Sequence, residues 1–177
     1  LAGCDLTLRS SYFSLRETVV RGCKELTEKE IENIIGRFGR SAEIVKKAGF
    51  TGVQIHAAHG YLISQFLSPR HNQRTDAWGG SVEKRLAFVL EVTREVAAAV
   101  GGERVGIRLS PYGVNAGMTA YPEIDETYTA LVPRLAAAGI QYVHLVDHSA
   151  MGAPNVPEEL KRALRAAWPR TFVLAGG

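Results

Sequence analysis

SVEKRLAFVLEVTREVAAAVGGERVGIRLSP, residues 81–111, contains one full unit of the pattern that decides the fold. Ser81 is placed to cap a helix, because a serine oxygen accepts from the free amides of a first helical turn. Leu86, Val89, Leu90, Val96 and Val100 follow at helical spacing and give that helix one apolar face. Gly101-Gly102 closes it, glycine being the residue that best accepts a left-handed C-terminal turn. Val105-Gly106-Ile107-Arg108-Leu109 then reads as a short strand with an arginine near its end.

The same order lies on both sides. Upstream, Thr27-Glu28-Lys29-Glu30 fits a capping box, and Ile31, Ile34, Ile35, Phe38 and Val45 form one stripe. Ala48-Gly49 ends that helix and Val53-Gln54-Ile55-His56 is a strand. Downstream, Asp125 opens a helix that runs to Ala138-Gly139, with Pro133 inside it predicting a kink. Tyr142-Val143-His144-Leu145-Val146 is the next strand. Pro157 suits the first turn of a helix ending near Trp168, and Thr171-Phe172-Val173-Leu174 is the last strand. Residues 1–26 show little periodicity and read as an irregular lead-in.

Helix, glycine and apolar strand in repetition predict parallel β/α units. No GxGxxG run follows a strand, which weakens a nucleotide-binding open sheet. Polar residues gather where strands finish, at His56, Arg108, His144 and Asp147, and in (β/α)8 barrels that end carries the chemistry. The expectation is a single domain over 1–177: an incomplete (β/α)8 TIM barrel of about four parallel β/α units.

Bulk composition bounds the function. Of 177 residues, 46% are hydrophobic and 22% charged, enough apolar side chain for a core. No run of about 18 apolar residues occurs, so no membrane partner is expected. The net charge is +3 with Lys and Arg scattered among acids, so no nucleic-acid partner is expected either. Cys4 and Cys23 are the only cysteines and have no metal-type spacing, which predicts a reducing, cytoplasmic setting. LAGCD, residues 1–5, has the shape of a lipoprotein cleavage site, but no basic segment or apolar region precedes it. The first residues read as the middle of something longer.

HAAHGYLISQFLSP, residues 56–69, concentrates the chemistry. Three readings of His56 and His59 compete. They can be partly buried histidines satisfied by neighbours. They can be metal ligands, although zinc would want a third, for which His71 and Asp76 stand nearest in sequence. Or they can be two N–H donors aimed at one oxygen that gathers negative charge, with the Tyr61 phenol placed to supply a proton. Arg108 near a strand end calls for an anionic or electron-rich partner, or for an internal ion pair with Asp147. Gly176-Gly177 after a strand can present backbone N–H groups to a phosphate, or can simply be a turn.

HAAHGYLISQFLSPRHNQRTDAWGGS, with RLAFVLEV, RVGIRLSP, AAAGIQYVHL and FVLAGG after it, resembles the old yellow enzyme family of FMN-dependent NAD(P)H oxidoreductases and ene-reductases. The likeness covers most of 27–177. It implies a (β/α)8 barrel that carries FMN at the C-terminal end of its strands, with NAD(P)H as reductant. His56 and His59 match the pair that holds the carbonyl or nitro oxygen of a small-molecule unsaturated substrate. Tyr61 matches the proton donor to the alkene carbon. Arg108 matches the arginine beside the flavin pyrimidine, and Gly176 and Gly177 match the phosphate loop. Asn72, Arg74, Asp76, Trp78, Gly79 and Gly80 form a signature loop expected to be structural, while Lys84 and Ala87 depart from the family's usual Asn and Arg. The resemblance would place about three strands before residue 1 and a final strand after Gly177. Two alternatives stand beside it: a non-catalytic half-barrel that forms homo-oligomers, and a metal-dependent barrel hydrolase. His144, Asp147 and His148 receive no role.

Overall fold

The structure, a computed structural model, describes residues 25–177. The lead-in expected before residue 25, with LAGCD, Cys4 and Cys23, lies outside the described residues. The order of elements is α1 (Glu28–Lys47), β1 (Val53–Ala57), α2 (Leu62–Leu67), α3 (Val82–Val100), β2 (Val105–Leu109), α4 (Ile124–Ala137), β3 (Tyr142–Asp147), α5 (Glu158–Ala167) and β4 (Thr171–Gly176).

The start signals sit where the sequence puts them. Thr27 caps α1 in a reciprocal box: its Oγ1 accepts from the Glu30 amide at 3.3 Å, and Glu30 Oε2 accepts from the Thr27 amide at 2.9 Å. Thr27→Ala should therefore lower stability by about 1 kcal/mol, read as a lower urea midpoint at unchanged slope. Ser81 caps α3, and Leu86, Val89, Leu90, Val96 and Val100 are all buried. Pro157 precedes α5 directly, at its N-cap.

Two expectations need correction, at the strand ends and at residues 62–67. Strands β1, β3 and β4 run one or two residues further than the apolar runs suggest, so Gly176 closes β4 instead of following it. Pro133 lies inside α4, which continues past it to Ala137. Pro133 and Thr129 both lie on the exposed side, so the carbonyl that loses its amide partner faces water. The six-residue helix α2 has no counterpart in the sequence reading, where 62–67, Leu-Ile-Ser-Gln-Phe-Leu, is too short to show a period.

The sheet is parallel throughout, in the order β1-β2-β3-β4. A doubly wound sheet would reverse its order at a switch point. Chain order kept without reversal is that of a barrel wall, here an arc of it. One face of the sheet is the core: Ile55, Ala57, Val105, Ile107, Leu109, Val143 and Leu145 are buried with α3 and α4 side chains such as Leu86, Val89, Leu131 and Leu135. The other face is polar, because side chains alternate along a strand. Register sets Gln54 beside Gly106 and Gly106 beside Tyr142, then His56 beside Arg108 and Arg108 beside His144. Tyr142 crosses over Gly106, where a Cβ would meet its ring at 2.0 Å, and its hydroxyl accepts from Gln54 Nε2 at 2.9 Å.

Candidate active site

The site lies at the C-terminal ends of these strands, on the polar face. At the end of β1 the chain reverses through two left-handed residues, His59 at φ 61° and Gly60 at φ 77°. The His59 amide donates to Ser110 Oγ, just past β2, at 2.8 Å, which fixes this turn against the neighbouring strand. Left-handed backbone at a non-glycine residue is uncommon and tends to accompany a functional constraint. The turn folds His59 and Tyr61 back toward His56. The His56 ring stands 5.1 Å from His59 and 5.1 Å from Tyr61, edge-on to both. Tyr61 is 49% exposed, so its hydroxyl can exchange protons with water.

The structure adds two more imidazoles. His144 follows from register, one strand beyond Arg108, and its Nδ1 lies 3.4 Å from Gln54 Nε2. His148, on the loop after β3, is buried, and its ring centroid is 4.5 Å from that of His59. Several buried polar atoms here have no hydrogen-bond partner among the described residues: His59 Nδ1, Arg108 Nε, His144 Nε2 and both ring nitrogens of His148. Native interiors seldom leave such atoms unpaired, and their gathering at one strand end marks a place built for a polar ligand.

Electrostatics keep the histidines uncharged. Burial of the rings lowers all four, and the Arg108 guanidinium lowers them further. His59 falls furthest, to about 4, through burial first and then through His148, Arg108, His56 and His144. At neutral pH each ring carries a single N–H, so the site offers neutral donors beside one fixed cation, Arg108.

Asp147 does not pair with Arg108, the alternative the sequence left open. It points to the helix side, where its carboxylate accepts from Lys161 Nζ at 2.8 Å, from the Ser149 amide at 3.0 Å and from the Val156 amide at 3.3 Å. Burial raises its pKa, but these donors outweigh it and hold the group at about 2. Gly176, paired with Asp147 across the sheet, has φ 83°, and a Cβ there would stand 2.0 Å from the Asp147 carbonyl. Gly177, at φ 108°, has open space around it.

The signature loop is a set of internal ties. Asn72 Nδ2 donates to the carbonyls of Phe66 at 2.8 Å and Trp78 at 2.7 Å. Arg74 grips Asp76 through two nitrogens, and Asp76 also accepts from the Trp78 amide. Arg85 of α3, itself buried, reaches the Leu67 carbonyl at 3.0 Å and the Gly80 carbonyl at 2.6 Å. For the metal reading, Asp76 is therefore occupied, His71 Nδ1 lies 3.3 Å from Ser68 Oγ, and no metal-holding group of three ligand residues occurs among the described residues.

Residues 8–177 match the NADH:flavin oxidoreductase / NADH oxidase family. The chain belongs to that family. It is 46% identical over 157 residues to a chanoclavine-I aldehyde reductase of Penicillium roqueforti, covering 87% of this chain and 42% of that protein. It is 40% identical over 158 residues to 12-oxophytodienoate reductase 2 of Arabidopsis thaliana, covering 87% of this chain and 41% of the relative. Among solved structures it superposes on morphinone reductase with a TM-score of 0.83 at 34% identity, over 88% of this chain and 42% of that one. Another structure of that enzyme holds tetrahydroNAD. The chain thus spans about two-fifths of the length of these relatives, and the fold is part of an old yellow enzyme TIM barrel.

Proposed function

We propose that the protein reduces the activated C=C bond of α,β-unsaturated carbonyl or related small molecules, with FMN as cofactor and NAD(P)H as reductant. The observation that carries this is the junction of His56, His59 and Tyr61 within 5.1 Å ring separations on a polar strand end, in a chain of the flavin oxidoreductase family. The residues fit the cofactor. Arg108 Nε is buried without a partner among the described residues, the donor an electron-rich flavin edge would take. Gly176 and Gly177, both at positive φ, would offer their backbone N–H groups to an anionic phosphate. When bound, FMN supplies the hydride, taken from NAD(P)H and delivered to the β-carbon of the substrate.

The rest is done by this chain's side chains. Neutral His56 and His59 donate N–H to the substrate carbonyl or nitro oxygen, and the bonds strengthen as negative charge grows there. Polarising that oxygen makes the β-carbon electron-poor. Tyr61 gives its hydroxyl proton to the α-carbon, and its half-exposed position lets water restore that proton. The two cysteines, with no disulfide framework, support a cytoplasmic setting.

The test is a visible spectrum after FMN is added and the free excess removed, followed by NADH-dependent loss of an enone. Retained flavin and enone loss are expected, with His56→Ala and His59→Ala each costing about 10²–10³ in the alkene step. Retained flavin with no effect from either histidine would overturn the assignment of the oxygen site.

A further inference from the structure

We propose that Gln54 is a positioning residue for His144: its amide N–H donates to His144 Nδ1, which holds the ring proton on Nε2 and makes that nitrogen a second buried donor beside Arg108. That the acceptor is an electron-rich edge of bound flavin rests on the reading given under Proposed function.

A neutral imidazole has one donor and one acceptor nitrogen, and what meets one decides the state of the other. Burial first, and then Arg108, hold His144 below its ordinary pKa, so at neutral pH the ring has one proton to place. Gln54 stands two residues before His56 on β1 and shares the polar face with Arg108 and His144. Its Nε2 lies 2.9 Å from the Tyr142 hydroxyl and 3.4 Å from His144 Nδ1. Tyr142 reaches Gln54 by crossing Gly106, the one residue type that leaves room for its ring. An amide nitrogen carries two hydrogens and accepts nothing, so these two contacts use both of its donors. Nδ1 is then the acceptor, and the proton belongs to Nε2.

A reversed amide would have a different consequence. With its oxygen in this place, Gln54 would take the proton of Nδ1 and leave a lone pair on Nε2. Arg108 is paired in register with His144, and a guanidinium N–H beside such a lone pair has every reason to bond to it. Yet Arg108 Nε and His144 Nε2 are both buried and both without a partner among the described residues. Two donors cannot satisfy each other. Side by side on neighbouring strands, they call for an acceptor that comes with a ligand.

Long-range ¹H–¹⁵N spectra of the histidine-labelled protein at pH 7.5, without flavin, read the tautomer directly. The expected result is His144 protonated on Nε2 and bare at Nδ1. In Gln54→Glu, whose carboxylate only accepts, a proton should appear on Nδ1. In Gln54→Leu, which neither donates nor accepts, the signals should move to a mixture. Gln54 is exposed, so neither substitution disturbs the core, and a side chain that merely packs would leave the tautomer alone in both. On adding FMN to the unaltered protein, the Nε2 proton should shift downfield, as a donor does on gaining an acceptor. Finding Nδ1–H in the unaltered protein, or an unchanged His144 in both variants, overturns the proposal. So does a bound flavin that leaves the Nε2 signal where it was. The stated tautomer in a protein that binds no FMN would instead sink the functional reading and leave the Gln54 assignment standing.

Discussion

Tyr61→Phe should lower alkene reduction by about 10²–10⁴, while NADH oxidation by the flavin-loaded protein with dioxygen as acceptor stays unchanged. The substitution removes one hydroxyl and keeps the ring that stacks edge-on to His56 at 5.1 Å. Tyr61 has no capping hydrogen bond to lose at the start of α2 and is half exposed, so folding should not suffer. The split between the two reactions is the informative part. Hydride transfer from NADH needs no proton from this side of the substrate, whereas saturating the alkene needs one at the α-carbon. A variant slow in both reactions would mean that Tyr61 shapes the flavin or nicotinamide site. A variant within about tenfold of the parent in both would mean that water supplies the proton, and the general-acid assignment would fall.

Much of this site was legible because two periodicities overlap. Parallel units were read from glycine-punctuated helices, and the sheet follows chain order with the strands where the apolar runs lie. The alternation of strand side chains then puts His56, Arg108 and His144 on one face, a fact contained in their positions once the register is known. Register between strands is a tertiary property, so His144 remained without a role in the sequence. His148 was harder still. It sits on a loop, where no period applies, and only the folded loop brings its ring to 4.5 Å from that of His59. The strand arginine and Asp147 looked like a pair from the sequence because they end neighbouring strands. They separate because Asp147 is three residues beyond His144 and so points to the opposite face. Helix α2 hides for another reason: six residues make less than two turns, and its polar Ser64 and Gln65 are buried with the apolar ones, so polarity does not mark an exposed face.

Asp147→Ala should destabilise the protein by about 3–5 kcal/mol at pH 7, the cost of stripping one partner from a buried ion pair. Three donors lose their acceptor together: Lys161 Nζ, and the amides of Ser149 and Val156. The Asp147 side chain is 1% exposed, so water cannot easily replace it, and Lys161, at 18%, keeps a charge without its counterion. Acid titration of the unaltered protein shows which groups carry stability. The folded Asp147 holds a pKa of about 2 against an ordinary 3.8, so the unfolded chain binds the proton first. Its contribution is complete above 3.8 and is lost as pH falls toward 2. His59, lowered from 6.5 to about 4, has the same sign in a higher window: the unfolded ring takes a proton that the folded ring refuses, so stability declines as pH drops from 6.5 toward 4. Urea midpoints measured across both windows should fall twice in the parent. In Asp147→Ala the curve should start lower, keep the upper decline and show a shallower lower one, to which Asp76, also held below 3.8 by Arg74, still contributes. A variant as stable as the parent at pH 7 would mean that the loop after β3 is held by packing alone.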